Sequence, residues 1–163
     1  MNYYETSLRK NRRWLAIAPV AVALLIAGCG GGGTTSKSPT TSAGAMLRLA
    51  RLEPGRALVD GQGRTLYLFE ADKGDTSTCS GACAGIWPPA TTSGKPSVAS
   101  GLAAGKIGTT KRTDGGRQLT YNGHPLYRYA ADPKPGDANG QGLNQFGGKW
   151  YVLNASGAKI DDD

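Results

Sequence analysis

The chain has 163 residues, 39% hydrophobic and 19% charged, with 25 glycines, three cysteines and one histidine. That length suits one domain with a modest core, and a lone histidine excludes a His-rich zinc or copper site. The formal charge of +7 comes from 19 basic and 12 acidic residues. The basic residues are scattered without a dense run or a recognition motif, which argues against a nucleic-acid partner.

In chain order the first feature is a leader. "SLRKNRR" supplies a basic segment with Arg9, Lys10, Arg12 and Arg13, and an apolar run of fourteen residues follows from Trp14 to Ala27, interrupted by Pro19. The run falls short of the roughly 20 apolar residues that a spanning helix needs. It closes in "LLIAGC", which resembles the bacterial lipobox, so residues 1–28 are expected to be a lipoprotein signal peptide cleaved before Cys29. The resemblance implies a diacylglyceryl thioether on Cys29, with palmitate-type chains. Two acyl chains anchor stably where one does not. The expected location is exported and lipid-anchored to a bacterial membrane, on its extracytoplasmic face. The competing reading is an ordinary signal peptide with a chance cysteine.

Without the leader 135 residues remain, of which 15 are basic and 11 acidic, a net charge near +4. Residues 29–45 comprise the lipid cysteine and "GGGGTTSKSPTTSAG", a Gly, Ser, Thr and Pro tract too poor in apolar residues to build a core. As a flexible tether of about sixteen residues it reaches roughly 20–25 Å.

From residue 46 to 163 the pattern changes to short apolar runs cut by Gly, Asp and Asn, with no sustained helical period. "RALVDGQGRTLYLF" reads as strand, turn and strand, turning at "DGQG". "KIGTTKRTDGGRQLTY" reads as two strands turning at Asp114-Gly115-Gly116, and "RQLTYNGHPLYRY" continues through an Asn122-Gly123 hairpin turn. "KWYVLNASGAKI" offers a last hairpin across Asn154 to Gly157, and one helical turn is expected near "CSGACAGIW". The fold class expected is mainly β: a small antiparallel β-rich domain of two related repeats, about 46–105 and 106–163, with little helix.

The repeat shows most clearly in "GRTLYLFEAD", positions 63–72, against "GHPLYRYAAD", positions 123–132, identical at five of ten positions. Side chains alternate along a strand, so Tyr67 and Phe69 share one face, as do Tyr127 and Tyr129. That face is aromatic in both copies and is expected at the interface between the halves. Asp72 and Asp132 follow where the chain should turn, and there a carboxylate can accept backbone N–H groups or a tyrosine hydroxyl. Two readings follow: an aromatic core strand ended by an aspartate turn, or an aromatic cleft with two carboxylates suited to a sugar, amine or cation.

The motif Tyr-x-(Phe/Trp/Tyr)-x-x-Asp stands here as "YLFEAD" and "YRYAAD", with "STCSGACAGIWPP" between the copies and "GDANGQGLNQFGGKWYVL" after the second. Together with the lipobox these resemble the bacterial secreted-repeat lipoproteins, over roughly residues 56–160. The resemblance implies a repeated extracytoplasmic domain and carries no activity or catalytic residue with it.

With Cys29 assigned to lipid, Cys79 and Cys83 remain as a pair. An i, i+4 separation permits disulfide geometry, and the compartment is oxidising. The pair reads as a small structural staple or, alternatively, as a redox site with Trp87 shielding it. No nucleophile-base-acid set, phosphate loop or dinucleotide fingerprint is present, so no catalytic residue, metal or cofactor is expected. The function expected is a non-catalytic binding or assembly module of the cell envelope, with a membrane contact through its anchor and an envelope protein or small molecule as ligand. The alternative is an envelope redox or electron-transfer accessory using Cys79 and Cys83.

Overall fold

The long alternating segment "MLRLARL" opens the domain as strand β1, Met46–Leu52, in a computed structural model that describes residues 45–161. Strand β1 turns at Glu53-Pro54 and pairs antiparallel with β2, Gly55–Asp60, from Leu47 opposite Asp60 to Leu52 opposite Gly55. The remaining elements are β3 (Tyr67–Phe69), α1 (Ala82–Ile86), β4 (Ser97–Val98), a 3-10 turn (Ala104–Lys106), β5 (Ile107–Lys111), β6 (Arg117–Tyr121), β7 (His124–Pro125), β8 (Asn144–Gln145) and β9 (Gly148–Val152). They form three three-stranded sheets ordered β2-β1-β4, β3-β9-β8 and β5-β6-β7. The mainly β class and the scarcity of helix hold.

Most expected turns fall where the turn residues stand. Asn122 and Gly123 both take positive φ, 51° and 82°, and join β6 to β7 as an Asn-Gly turn should. Strands β5 and β6 pair across the Asp114-Gly115-Gly116 turn, whose Asp114 carboxylate accepts the Gly116 N–H. Gly157 closes the last turn on the Asn154 carbonyl, and Leu153 bridges Lys159 beyond it. The short helix α1 lies inside the segment expected to supply one turn.

Two points differ from the expectation. Strand β1 was not among the expected strands: its register with β2 is unbroken, but its apolar residues change face, Leu47 and Leu49 serving one core and Ala50 and Leu52 the other. The first expected hairpin also forms its turn, with the Gly63 N–H on the Asp60 carbonyl, but only one bridge, Val59 to Thr65, continues past it. Beyond Thr65 the chain leaves β2, and β3 takes β9 of the second repeat as its ladder partner.

Alternation along β2, β3 and β9 sends side chains into two cores, one on each side. Ala57, Val59, Tyr67, Phe69, Trp150 and Val152 enter one, which also holds Trp87 and Tyr127. Leu58, Leu66, Leu68, Tyr151 and Leu153 enter the other. Strands buried on both faces read as continuous apolar runs, which is how "LYLF" and "WYVL" read.

Candidate functional site: the junction of the two repeats

Tyr67 and Tyr127 stand directly opposite one another and exchange both backbone hydrogen bonds, at 2.9 Å and 3.0 Å. Around that point two contacts of the first repeat have counterparts in the second. Tyr67 faces Val152 and Tyr127 faces Pro89. The Leu58 N–H donates to the Leu153 carbonyl, and the Leu119 N–H donates to the Ala90 carbonyl. The halves are thus interleaved, each lending strand partners to the other about a local pseudo-twofold axis.

The side chains obey the same relation. The Tyr67 hydroxyl donates to Asp132 at 2.6 Å, and the Tyr127 hydroxyl donates to Asp72 at 2.7 Å. Each tyrosine therefore bonds the aspartate of the other copy. Each aspartate is placed by its own turn, Asp72 N–H on the Phe69 carbonyl and Asp132 N–H on the Tyr129 carbonyl, both 3.1 Å. The second carboxylate oxygen then fastens the following loop. Asp72 accepts the Thr78 N–H and hydroxyl, and Asp132 accepts the Asn139 backbone and side-chain N–H groups. The spacing in Tyr-x-aromatic-x-x-Asp has a physical meaning: one strand residue to cross, one to stack, and three more to bring a carboxylate back over the partner's hydroxyl.

The aromatic faces meet as a column. Phe69, Trp150, Trp87 and Tyr129 stack in that order with ring centroids 4.0, 3.9 and 4.3 Å apart. Tyr67 meets Trp87 edge-on at 5.3 Å, and Tyr127 meets Trp150 edge-on at 5.1 Å. Both tryptophans, Tyr67 and Tyr127 are fully buried. Such offset and edge-on pairs add about 0.5–1.5 kcal/mol each beyond the area they bury. The polar edges of both indoles end on Gln145: Trp87 Nε1 donates to its side chain at 2.9 Å and Trp150 Nε1 to its carbonyl at 3.2 Å. Gly140 lies so close beneath the column that a Cβ there would stand 2.7 Å from Trp87 and 3.0 Å from Tyr67.

The symmetry breaks at the disulfide. Cys79 and Cys83 are bonded, with Cα atoms 5.3 Å apart, and both are buried. The Cys83 carbonyl accepts the Trp87 N–H at 2.7 Å, so the staple sets the approach of the chain to the central tryptophan. Arg112, itself buried, donates to the Cys79 carbonyl, to Ser77 and to Gln118, and pairs with Asp114. Ser77 lies 2.8 Å from the Tyr127 hydroxyl oxygen, which has already given its proton to Asp72, so Ser77 donates there. Arg112, Ser77, Tyr127 and Asp72 form one directed chain of hydrogen bonds.

The electrostatics agree with neutral tyrosines. Burial, then the Asp132 carboxylate, hold the Tyr67 hydroxyl far above its usual ionisation range. Burial also raises Tyr127, with the Ser77 bond opposing and Asp72 reinforcing. Asp72 is raised above the ordinary carboxylate value by burial, against the pull of Thr78, Tyr127 and Arg112. These groups spend their donors and acceptors on each other.

The structure brings Tyr67, Phe69, Asp72, Trp87, Tyr127, Tyr129 and Asp132 together at one junction, with Cys79 and Cys83 beside it. Cys29 lies outside the described residues. Trp150, Gln145, Arg112 and Ser77 were not singled out from the sequence. For Trp150 a signal existed, since Gly85-x-Trp87 and Gly148-x-Trp150 extend the repeat past the aspartates. The buried guanidinium of Arg112 had none.

Fold and junction define a β-rich domain of two interleaved copies of one motif. The family model described as a secreted repeat of unknown function matches residues 51–91 and again residues 108–154, more than half of the chain. The protein belongs to this secreted-repeat family, which sets it outside the cytoplasm. No curated protein and no solved structure matches the chain. Among the described residues no helix is long and apolar enough to cross a membrane.

Proposed function

We propose that the protein is a lipid-anchored module of the cell envelope that binds or assembles with another envelope component and performs no catalysis. The observation that supports this reading is the reciprocal bonding of the two Tyr–Asp pairs. It commits the repeated motif to holding the domain together and leaves recognition to the outer surface. The proposed anchor is the lipid on Cys29, and the tract up to residue 45 is the spacer. The redox alternative requires a thiol reagent to reach a bond that is buried between α1 and the tryptophan column.

Three measurements test the reading in cells. A Cys29→Ser variant should leave the membrane fraction and lose acyl label, and an unchanged fractionation removes the anchor. Short-range cross-linking on intact cells should give a discrete adduct, and its absence at every exposed face removes the binding role. A Cys79–Cys83 couple that cycles at the potential of envelope dithiols with the fold intact would put the redox role first.

A further inference from the structure

Two sheet edges border one groove. Its walls are Ser97 and Val98 of β4 on one side and Ile107, Gly108 and Thr109 of β5 on the other, with Lys95 also in the lining and a volume near 460 Å³. Strand β4 is the last strand of its sheet and β5 is the last strand of another.

The register fixes which backbone groups face this groove. Arg112 donates its N–H to Gly116, and the Asn122 N–H reaches the Lys106 carbonyl, so Lys106, Gly108, Thr110 and Arg112 direct their groups at β6 and its flanks. The amides and carbonyls of Ile107, Thr109 and Lys111 therefore point outward, and no partner for them occurs among the described residues. On the other wall the Ser97 and Ala99 N–H groups bond Ala45 and Leu47 beside and on β1, so those of Val98 point away from β1. Both walls thus present unpaired strand edges, the feature that extended peptides use to join a sheet.

The lining also states what should enter. Val98, Ile107 and Ala104 make part of the lining apolar and Lys95 makes part of it basic, while exposed Lys111, two residues past Thr109 on β5, is paired with exposed Arg117 of β6. No acidic residue lines it. We propose that this groove receives an extended peptide segment of a partner protein, short and apolar at its centre and acidic at its ends. The segment adds a strand to β5 and bonds Val98 across the gap. This inference rests on the binding role proposed above and assigns that role a surface.

The test uses the full-length protein in detergent and a fluorescein-labelled peptide, DTVTVTD, with KTVTVTK as its charge-reversed control. DTVTVTD should bind at least ten times more tightly than the control and slow amide exchange at Ile107, Thr109, Lys111 and Val98. Thr109→Pro removes one outward donor and none of the backbone bonds to β6, losing on that side only the exposed 3.3 Å contact between Arg117 and the Thr109 hydroxyl, so it should weaken binding at least tenfold while the melting temperature holds. Should that variant not fold, Lys111→Glu combined with Lys95→Glu should invert the preference between the two peptides. Absence of binding at millimolar peptide, equal binding of both peptides, or protection elsewhere overturns the proposal. Concentration-dependent protection of β5 without peptide overturns it in favour of a second copy as occupant. An envelope adduct that forms unchanged with Thr109→Pro would defeat the groove and leave the general binding role standing.

Discussion

Tyr67 and Tyr127 are each other's backbone partners, yet their side chains pass one another and end on Asp132 and Asp72, 65 and 55 residues away in sequence. Neither repeat supplies the aspartate that its own tyrosine hydroxyl bonds. The repeat is therefore a half-structure whose motif tyrosine and aspartate are bonded to each other only across the two copies. One physical consequence is cooperativity: the halves should unfold in one transition and never singly.

The two tyrosines predict the alkaline limit of the fold. Their ionisation is raised in the folded protein above the unfolded value of about 10. Their contribution is complete below that value and is lost as pH rises through the raised one. Stability should fall above about pH 10 by about 1.4 kcal/mol per pH unit for each tyrosine, and Tyr127→Phe should halve that slope. Absorbance of tyrosinate at these two positions should appear only with unfolding. Titration of all tyrosines near pH 10 with the fold intact would refute this.

Asp72 gives a second pH dependence with the same sign. Its carboxyl is raised by burial, so the stability it carries is full below the ordinary carboxylate range and declines as pH climbs through the raised value. Asp72→Asn should flatten the stability profile in that acidic window. Denaturant midpoints measured from pH 3 to 7 on both proteins supply the check.

Gly140 predicts a steric failure. A methyl group there meets a ring atom of Trp87 at 2.7 Å and one of Tyr67 at 3.0 Å, and Trp87 is itself stacked on Trp150. Gly140→Ala should cost about 1–3 kcal/mol and diminish the near-ultraviolet circular dichroism of the tryptophans. A variant of unchanged stability and spectrum would mean that the column is looser than its spacing implies.

The disulfide should behave as a staple. Closing a five-residue loop is worth about 2 kcal/mol by the chain-entropy relation. The double variant Cys79→Ser, Cys83→Ser should lose at least that much stability. Reduction of the native bond should proceed at the rate of unfolding, since both sulfurs are buried. Rapid reduction of the folded protein would contradict the staple.

Much of this fold was legible because turns announce themselves. Asn122-Gly123, Asp114-Gly115-Gly116 and Asn154 to Gly157 each sit where their backbone angles or side-chain oxygens are needed. The aromatic face was legible from strand alternation, and the part played by the aspartates from their place after the strand. Strand pairing was not. Alternation tells which face a residue takes but never which strand lies beside it, so the exchange of β3 to β9 was invisible. Arg112 was hidden for a related reason: a charged residue near a Gly-rich turn ordinarily faces water, and the distant carbonyl of Cys79 with Ser77 and Gln118, added to the nearby Asp114 carboxylate, makes its burial tolerable.

The most direct test of the interleaved junction is a double-mutant cycle on Tyr67→Phe and Asp132→Ala, read by denaturant unfolding. The pair is fully buried and spans the two repeats. The predicted coupling is about 1.5–3 kcal/mol, as for a buried hydrogen bond to a charged group, within a single unfolding transition. A coupling below about 0.5 kcal/mol, or two separate transitions in the variants, would contradict the claim that each repeat is completed by the other.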